Sequence, residues 1–223
     1  MILTNAEYGL RIEFIEGRSC KLILENPKDM AYLAEVLCGQ CAGKEGDFLL
    51  SCQEKEYKIE KYMEVIVNPF NIDFNSRKIL NRLYSELTAL AVDYIIEKSE
   101  LNAKIVQLME KICSSARYNH ICYDMDFDWT DLLKFCKVRM ESDNGTLIER
   151  LDEYIKMAAS LCGIQILCMI NISSYLCEEE IRELKQIANY QKMYLLFIEA
   201  REGIKDKDED IYIIDRDRCL IVK

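Results

Sequence analysis

The sequence predicts an α/β fold into which an α-helical segment is inserted. Both ends of the chain carry short apolar runs typical of strands, as in "LRIEFIEGRSCKLIL" near the start and "IQILCMIN" and "MYLLFIEA" in the last third. Between them, from about residue 75 to about residue 117, apolar residues recur with the 3.6-residue period of a helix. We therefore predict a discontinuous α/β head of residues 1–73 and 155–223, and a helical leg of residues 74–154.

The elements of the head follow from local signals. The opening run alternates and turns at residues 16–18, which predicts a β-hairpin. Asn26 as N-cap and Pro27 at the first helical position predict a helix over "NPKDMAYLAEVLCGQ". "DFLLSC" and "YMEVIVNP" are predicted as strands. In the last third, the order strand, helix, strand with short connections predicts parallel strands, and "DIYIIDRDRCLIV" predicts a closing hairpin.

The leg is predicted from a stripe of apolar residues at helical spacing. Its members are Ile79, Leu83, Leu87, Leu90, Tyr94, Ile105, Leu108 and Ile112. Because this stretch contains no proline or glycine, it predicts either one very long helix or two helices with a restart at Ser99. "DWTDLLKFCKV" and "TLIERLDEYIKMAASL" predict two further helices, and a Thr146–Glu149 capping box opens the second.

Composition limits the compartment and the chemistry. The start of the chain lacks the pattern of a signal peptide, and no run approaches the roughly 20 apolar residues of a membrane span, so we expect a cytoplasmic protein without membrane contact. Most of the 11 cysteines lie in apolar runs, where reduced cysteine acts as a small hydrophobe. Cys38 and Cys41 form a C-x-x-C pair, but it closes a helical pattern, so a redox or zinc role is only an alternative.

The net charge of −10 argues against indiscriminate nucleic-acid binding. A local exception lies in the leg, where residues 74–117 carry seven basic and five acidic side chains. The basic residues that we consider for DNA contact are Arg77, Lys78, Arg82, Lys104, Lys111 and Arg117. The alternative is that they are ordinary solvated helix faces.

A nucleotide site was sought where a strand leads into a helix. The loop of residues 68–78, after "EVIVNP", contains no glycine, and Ser76, Arg77 and Lys78 do not reproduce the P-loop signature. The strand "ILCMIN" ends at Asn171, which cannot supply an anionic magnesium ligand. We therefore expect no nucleotide hydrolysis.

Two stretches, "EVIVNPFNIDFNSRKILNRLYSELTAL" and "ILCMINISSYLCEEEIRELKQIANYQKMYLLFIEAREGIKDKDEDIYIID", resemble the spacer-acquisition (adaptation) protein family specific to type II-A CRISPR–Cas systems. The order of hairpin, helix, leg and returning head agrees with that family over nearly the whole chain. The resemblance implies an NTPase-like α/β head with a degenerate P-loop and an inserted helical leg. No catalytic motif carries the match, because the family has none.

The resemblance also implies a function. It implies a homotetrameric ring that encloses double-stranded DNA, loads at free ends and is stabilised by Ca²⁺. It further implies action with the CRISPR integrase complex and the type II effector nuclease in antiviral adaptation, without enzymatic activity. The alternatives are a metal-dependent ATPase or nuclease with an NTPase-like head, and a purely structural adaptor.

The stretch "YDMDFDWTD" is the candidate metal site. Its carboxylates are Asp124, Asp126, Asp128 and Asp131. Carboxylates spaced by two on an irregular loop can converge on one Ca²⁺ ion, and the family's calcium dependence favours this interpretation. The alternative is that Asp128 or Thr130 only caps the helix that follows.

The stretch is not an EF-hand. Trp129 stands where that motif needs glycine, and Phe135 stands where it needs the bidentate glutamate. We predict a Ca²⁺ site with a helix cap at its end. A second acidic run, residues 206–210, is most simply an exposed loop and is a secondary metal candidate.

Overall fold

The computed structural model describes residues 1–118, 120–124, 127–141, 145–203 and 206–223. The first part of the chain forms β1 (Ile2–Asn5), β2 (Leu10–Glu13), β3 (Ser19–Leu24), α1 (Pro27–Cys41), β4 (Phe48–Cys52), β5 (Lys55–Tyr57), α2 (Ile59–Tyr62) and β6 (Met63–Ile66). The middle forms α3 (Arg77–Leu90), α4 (Ile95–Ser114) and α5 (Trp129–Phe135). The last part forms α6 (Leu147–Ser160), β7 (Ile166–Ile170), α7 (Glu178–Tyr190), β8 (Tyr194–Glu199), β9 (Glu209–Ile214) and β10 (Leu220–Val222).

The chain divides into two compact units. The first, which we call the head, comprises Met1–Asp73 and Ser142–Lys223, and the second, the leg, comprises Phe74–Glu141. The sequence placed the end of the leg at residue 154. The structure assigns α6 to the head instead, because α6 packs against α7 and buries Leu151 and Ile155 completely.

The head is mixed α/β, as predicted. Its larger sheet has six strands in the order β10-β9-β3-β8-β7-β6, and its smaller sheet has four in the order β2-β1-β4-β5. The strands β6, β7, β8, β3 and β9 pair in parallel, and β10 pairs antiparallel with β9. The predicted parallel strands and closing hairpin are therefore confirmed.

The predicted opening hairpin is wrong in its partners. β2 pairs with β1 in the smaller sheet, whereas β3, after the turn at residues 16–18, enters the centre of the larger sheet. Burial explains the separation. All six residues of β3 are buried, so this strand must be covered on both faces, while β2 alternates between buried and exposed residues.

About half of the buried apolar residues form a cluster on one face of the larger sheet. There Cys20, Leu22 and Leu24 of β3 belong to one buried cluster with Leu33 and Leu37 of α1 and with the smaller sheet. The predicted start of α1 is confirmed, because the Asn26 side chain accepts a hydrogen bond from the Lys28 amide at 3.0 Å and Pro27 is the first helical residue.

The stretch of residues 75–117, predicted as one or two helices, forms two, α3 and α4. A 3₁₀ turn at Ala91–Tyr94 separates α3 from α4. The predicted restart at Ser99 is wrong, since Ser99 lies inside α4, where a serine costs a helix only a few tenths of a kcal/mol. In the part of the chain that the structure describes, no helix has the length and apolar character needed to cross a membrane.

After α4 the described residues 115–118, 120–124 and 127–141 run back along both helices, and we call these residues the return segment. Partial burial, together with the charge of the neighbouring Glu110 of α4, raises the pKa of Tyr123. Further along, the Lys98 ammonium lies 5.4 Å from the ring centre of Phe127, and the Tyr84 hydroxyl donates to the Val138 carbonyl at 2.9 Å. The return segment is thus antiparallel to the leg helices.

Candidate functional site

Asp128 and Asp131 form the N-terminal cap of α5. The Asp131 amide donates to Asp128 Oδ1 at 2.7 Å, and the Asp128 amide donates to Asp131 Oδ2 at 3.2 Å. This reciprocal capping box satisfies two amides that a helix start leaves unpaired. The predicted capping by Asp128 is confirmed, and Thr130 does not take that role.

The calcium site itself stays a prediction. Asp124, Asp128 and Asp131 are exposed carboxylates of the type that Ca²⁺ prefers, while Asp126 lies outside the described residues. Among the residues that are described, no group of three or more histidine, cysteine, aspartate or glutamate side chains is placed to hold a metal ion.

The second acidic run, residues 206–210, belongs to an ion-pair network. Glu209 is fully buried, and its carboxylate lies 2.7 Å from the Lys21 ammonium and 3.0 Å from that of Lys185. Asp206 approaches Lys185 at 3.4 Å, and Asp210 accepts two hydrogen bonds from Arg18. Three of these acids therefore face cations, which leaves them poorly suited to a metal ion.

The predicted DNA-contacting residues of the leg are mostly free. Arg77, Arg82, Lys104, Lys111 and Arg117 are exposed, and none of them forms an ion pair with any described residue. Lys78, the sixth residue of the predicted set, is half-buried and interacts with another group.

Three further basic residues of the leg were missed by the sequence analysis. Lys134 lies in the last turn of α5, and Lys137 and Arg139 follow that helix; all three are exposed. A count over the whole leg could have found them, since residues 74–141 carry ten basic and ten acidic residues. The head carries the other 19 basic and 29 acidic residues, so the entire net charge of −10 belongs to the head.

The head, by contrast, uses several of its cations internally. Besides the Lys21–Glu209–Lys185 network, Arg218 lies 2.7 Å from the fully buried Asp29 and 5.4 Å from the Tyr8 ring centre. The Tyr8 hydroxyl also donates to Asp29 at 2.9 Å, and burial raises the pKa of Tyr8 to about 12. These cations are thus engaged by carboxylates of the head itself.

The sheet topology places the expected nucleotide site at a different strand from the one considered in the sequence. In open α/β sheets ligands bind beyond the carboxyl ends of the strands, where the strand order reverses. That point is the end of β3, which lies between β8 and β9, and not the loop after the edge strand β6. Only Glu25 and Asn26 connect β3 to α1, whereas a P-loop needs about eight residues.

A buried carboxylate lies nearby at the end of β8. Glu199 is 5% exposed and accepts hydrogen bonds from the Ser173 amide at 3.0 Å and the Ser173 hydroxyl at 2.8 Å. Burial raises its pKa, while these hydrogen bonds and the charge of Lys21 oppose the rise. No local sequence signal indicated this residue.

The turn between α3 and α4 exposes apolar side chains. Within residues 90–96, five large apolar residues are each 57–69% exposed, namely Leu90, Val92, Tyr94, Ile95 and Ile96. We call them the apolar turn. A contiguous exposed patch of this kind is typical of a protein–protein contact.

Comparison with known proteins gives a consistent picture. The family model described as "CRISPR-associated protein (Cas_Csn2)" matches residues 40–218. The CRISPR-associated protein Csn2 of Streptococcus agalactiae is 24% identical over 178 residues, covering 78% of this chain and 77% of the relative. The Csn2 protein of Enterococcus faecalis is 24% identical over 185 residues, covering 81% and 82% respectively.

Among solved structures, an ATP-binding cassette of an ABC transporter in its ADP conformation aligns with a TM-score of 0.46 at 12% identity. The alignment covers 95% of this chain and 84% of that protein. A score of this size supports no inference about fold or function.

Proposed function

Because the chain belongs to the CRISPR-associated Cas_Csn2 family, we propose that it is a non-catalytic protein of CRISPR adaptation that binds double-stranded DNA. It does so as a homotetrameric ring around the duplex and prefers free ends. The observation that carries the proposal is the set of exposed leg cations, typified by Arg77, Arg82 and Lys111, that have no ion-pair partner among the described residues.

Such cations suit the phosphate backbone rather than base edges. A lysine or arginine that neutralises a phosphate releases condensed counterions, so affinity falls steeply with salt and depends little on sequence. The distribution of charge supports this mode of binding. The acidic head resists nonspecific contact with DNA, whereas the leg is neutral overall and most of its cations are exposed.

The apolar turn of the leg supports self-association. Burying apolar surface contributes about 25 cal/mol per Å², so five large side chains can stabilise a contact between copies of the chain. Ca²⁺ held by Asp124, Asp126, Asp128 and Asp131 stabilises the assembled ring in this proposal. The ring acts with the CRISPR integrase complex and the type II effector nuclease.

The head is an NTPase-like domain with a degenerate P-loop that does not hydrolyse nucleotide. The two-residue connection between β3 and α1, the glycine-free loop of residues 68–78 and Asn171 at the end of β7 support this proposal. The alternative, a metal-dependent ATPase or nuclease, requires turnover that depends on Mg²⁺.

A duplex gel shift at several salt concentrations tests DNA binding. The parent should bind a linear duplex, bind a closed circle less well and bind unrelated sequences equally. Arg77→Glu with Arg82→Glu should weaken binding at least tenfold and flatten the salt dependence. Equal binding by parent and variant at every salt concentration would contradict the proposal, as would ATP or DNA hydrolysis that copurifies with the protein.

A further inference from the structure

In the leg, hydrogen bonds join the return segment to α3 and to Asn75, which precedes that helix. The Asn75 side chain donates to the Met140 carbonyl at 3.0 Å and accepts from the Met140 amide at 2.8 Å. One end of the contact is therefore fixed by two bonds. The other is fixed by the bond from Tyr84 to Val138. Residues some 55–65 positions apart in sequence are thus held side by side.

All the charged residues of the two stretches so joined are basic. Residues 75–84 and residues 132–140 contain no acidic residue, although the chain has 39 of them. Together they contain six basic residues, namely Arg77, Lys78, Arg82, Lys134, Lys137 and Arg139. A concentration of like charge is unfavourable for folding, and an external polyanion relieves it.

The backbone on which the new cations stand is well defined. α5 ends in a Schellman motif, in which the Lys137 amide donates to the Lys134 carbonyl and the Val138 amide donates to the Leu133 carbonyl, both at 3.0 Å. Arg139 stands between Val138, which accepts a hydrogen bond from Tyr84 of α3, and Met140, which is bonded to Asn75 just before α3. These side chains are therefore exposed on a positioned backbone.

We infer that the return segment forms one phosphate-binding surface with α3, so that Lys134, Lys137 and Arg139 contact the same duplex DNA as Arg77 and Arg82. This inference rests on the proposed function and names the surface that performs it. An acidic protein partner could also meet a cationic patch. Duplex DNA is favoured because none of these five cations forms an ion pair with any described residue, which leaves them available to a row of phosphates.

Two lysines in the same backbone setting provide a matched test. Lys192 follows α7 in the head as Lys137 follows α5, with the Lys192 amide donating to the Asn189 carbonyl at 3.0 Å and the next amide donating to the Ala188 carbonyl at 2.9 Å. Both lysines are exposed and have a positive φ, 52° for Lys137 and 55° for Lys192. Lys137→Gly and Lys192→Gly therefore remove the same charge from the same local structure.

The affinity of each variant for a linear duplex is measured across a salt series. Because each lost phosphate contact reduces the slope of log affinity against log salt by about 0.9, Lys137→Gly should reduce it by about one. Lys137→Gly combined with Arg139→Gln should reduce it by about two, and Lys192→Gly should leave it unchanged.

The outcomes separate this inference from the function on which it rests. If the parent binds DNA and the variants at 137 and 139 keep its salt slope, the inference is wrong and the proposed function stands. If the variants lose DNA affinity no more than Lys192→Gly does, the conclusion is the same. A parent that binds no duplex at any salt concentration overturns both.

Discussion

Glu199 shows how one buried side chain links the fold to pH. Its carboxylate lies at the end of β8, removed from water, and Ser173 supplies its hydrogen bonds. Burial raises its pKa, so the folded protein holds the proton more tightly than the unfolded chain does. By linkage, the folded state loses stability as pH rises from the unfolded pKa of Glu199, near 4, through its raised folded value.

Glu199→Gln tests this dependence. Glutamine retains a carbonyl oxygen for the Ser173 donors but cannot ionise. Relative to the parent, the variant should gain stability as pH rises through that window and then keep a constant difference. Urea unfolding between pH 4 and pH 8 measures it. A difference that is the same at every pH would show that the Glu199 carboxyl does not titrate differently on folding.

Substitution of the aspartates before α5 distinguishes a cation site from a simple helix cap. Asp124→Asn, Asp126→Asn and Asp128→Asn together remove three charges, while asparagine still caps a helix as well as aspartate does. We expect the triple variant to fold but to lose the rise in melting temperature that calcium gives the parent, because the ion would bind the assembled protein preferentially. Thermal melts in calcium and in chelator measure this effect.

The control for that variant is Thr146→Ala, which removes the cap of α6 without touching the aspartates. The Thr146 hydroxyl accepts a hydrogen bond from the Glu149 amide. The Glu149 carboxylate in turn accepts one from the Thr146 amide at 2.7 Å. Its loss should cost about 1 kcal/mol and leave the calcium response intact. An unchanged calcium response in the triple variant would exclude the aspartates as the site.

At the scale of whole elements, the ends of α5 and α7 carry the same strain. The residue after each C-cap, Lys137 or Lys192, is in the left-handed conformation, at the position where glycine is usual. Lys137→Gly and Lys192→Gly should each raise the free energy of unfolding by roughly 0.5–1 kcal/mol, because relief of strain exceeds the added entropy of the unfolded chain. Urea denaturation measures it.

This stability measurement also serves as a folding control for the DNA-binding experiment. If Lys137→Gly is more stable than the parent and binds DNA less well, loss of folding cannot explain the loss of binding. A destabilised Lys137→Gly variant would instead show that the lysine side chain makes a contact that supports the leg. The Lys192→Gly variant gives the size of the backbone effect alone.

At the scale of the whole molecule, the apolar turn determines assembly in our proposal. Ile95 and Ile96 are 68% and 69% exposed, so replacing them should not disturb the core of one chain. Ile95→Lys with Ile96→Lys should weaken self-association by at least tenfold, because each buried isoleucine contributes about 1.5–3 kcal/mol. Sedimentation over a range of protein concentrations measures this.

Tyr190→Lys serves as the matched control, since this residue of the head is 86% exposed and stands alone. It should assemble as the parent does. Equal association constants for the parent and the Ile95/Ile96 variant would show that the apolar turn is not an assembly surface. Melting curves of the dilute proteins verify that each variant is folded.

The sequence by itself determined the features that depend on near neighbours. The cap of α1 by Asn26, the cap of α5 by Asp128, the parallel strands of the last third and the glycine-free loops could all be read locally. These signals act within a few residues along the chain, through hydrogen bonds of the first helical turn or the alternation of side chains in a strand.

Only the tertiary structure decided which distant residues meet. It paired β2 with β1 rather than β3, gave α6 to the head, and buried Glu209 between Lys21 and Lys185. It also set Arg139 beside α3, which made one cationic surface from two separate stretches. No local pattern encodes such contacts, because they depend on which distant parts of the chain pack together in the folded core. Whether a charged side chain is buried or exposed is likewise decided by the elements that pack against it.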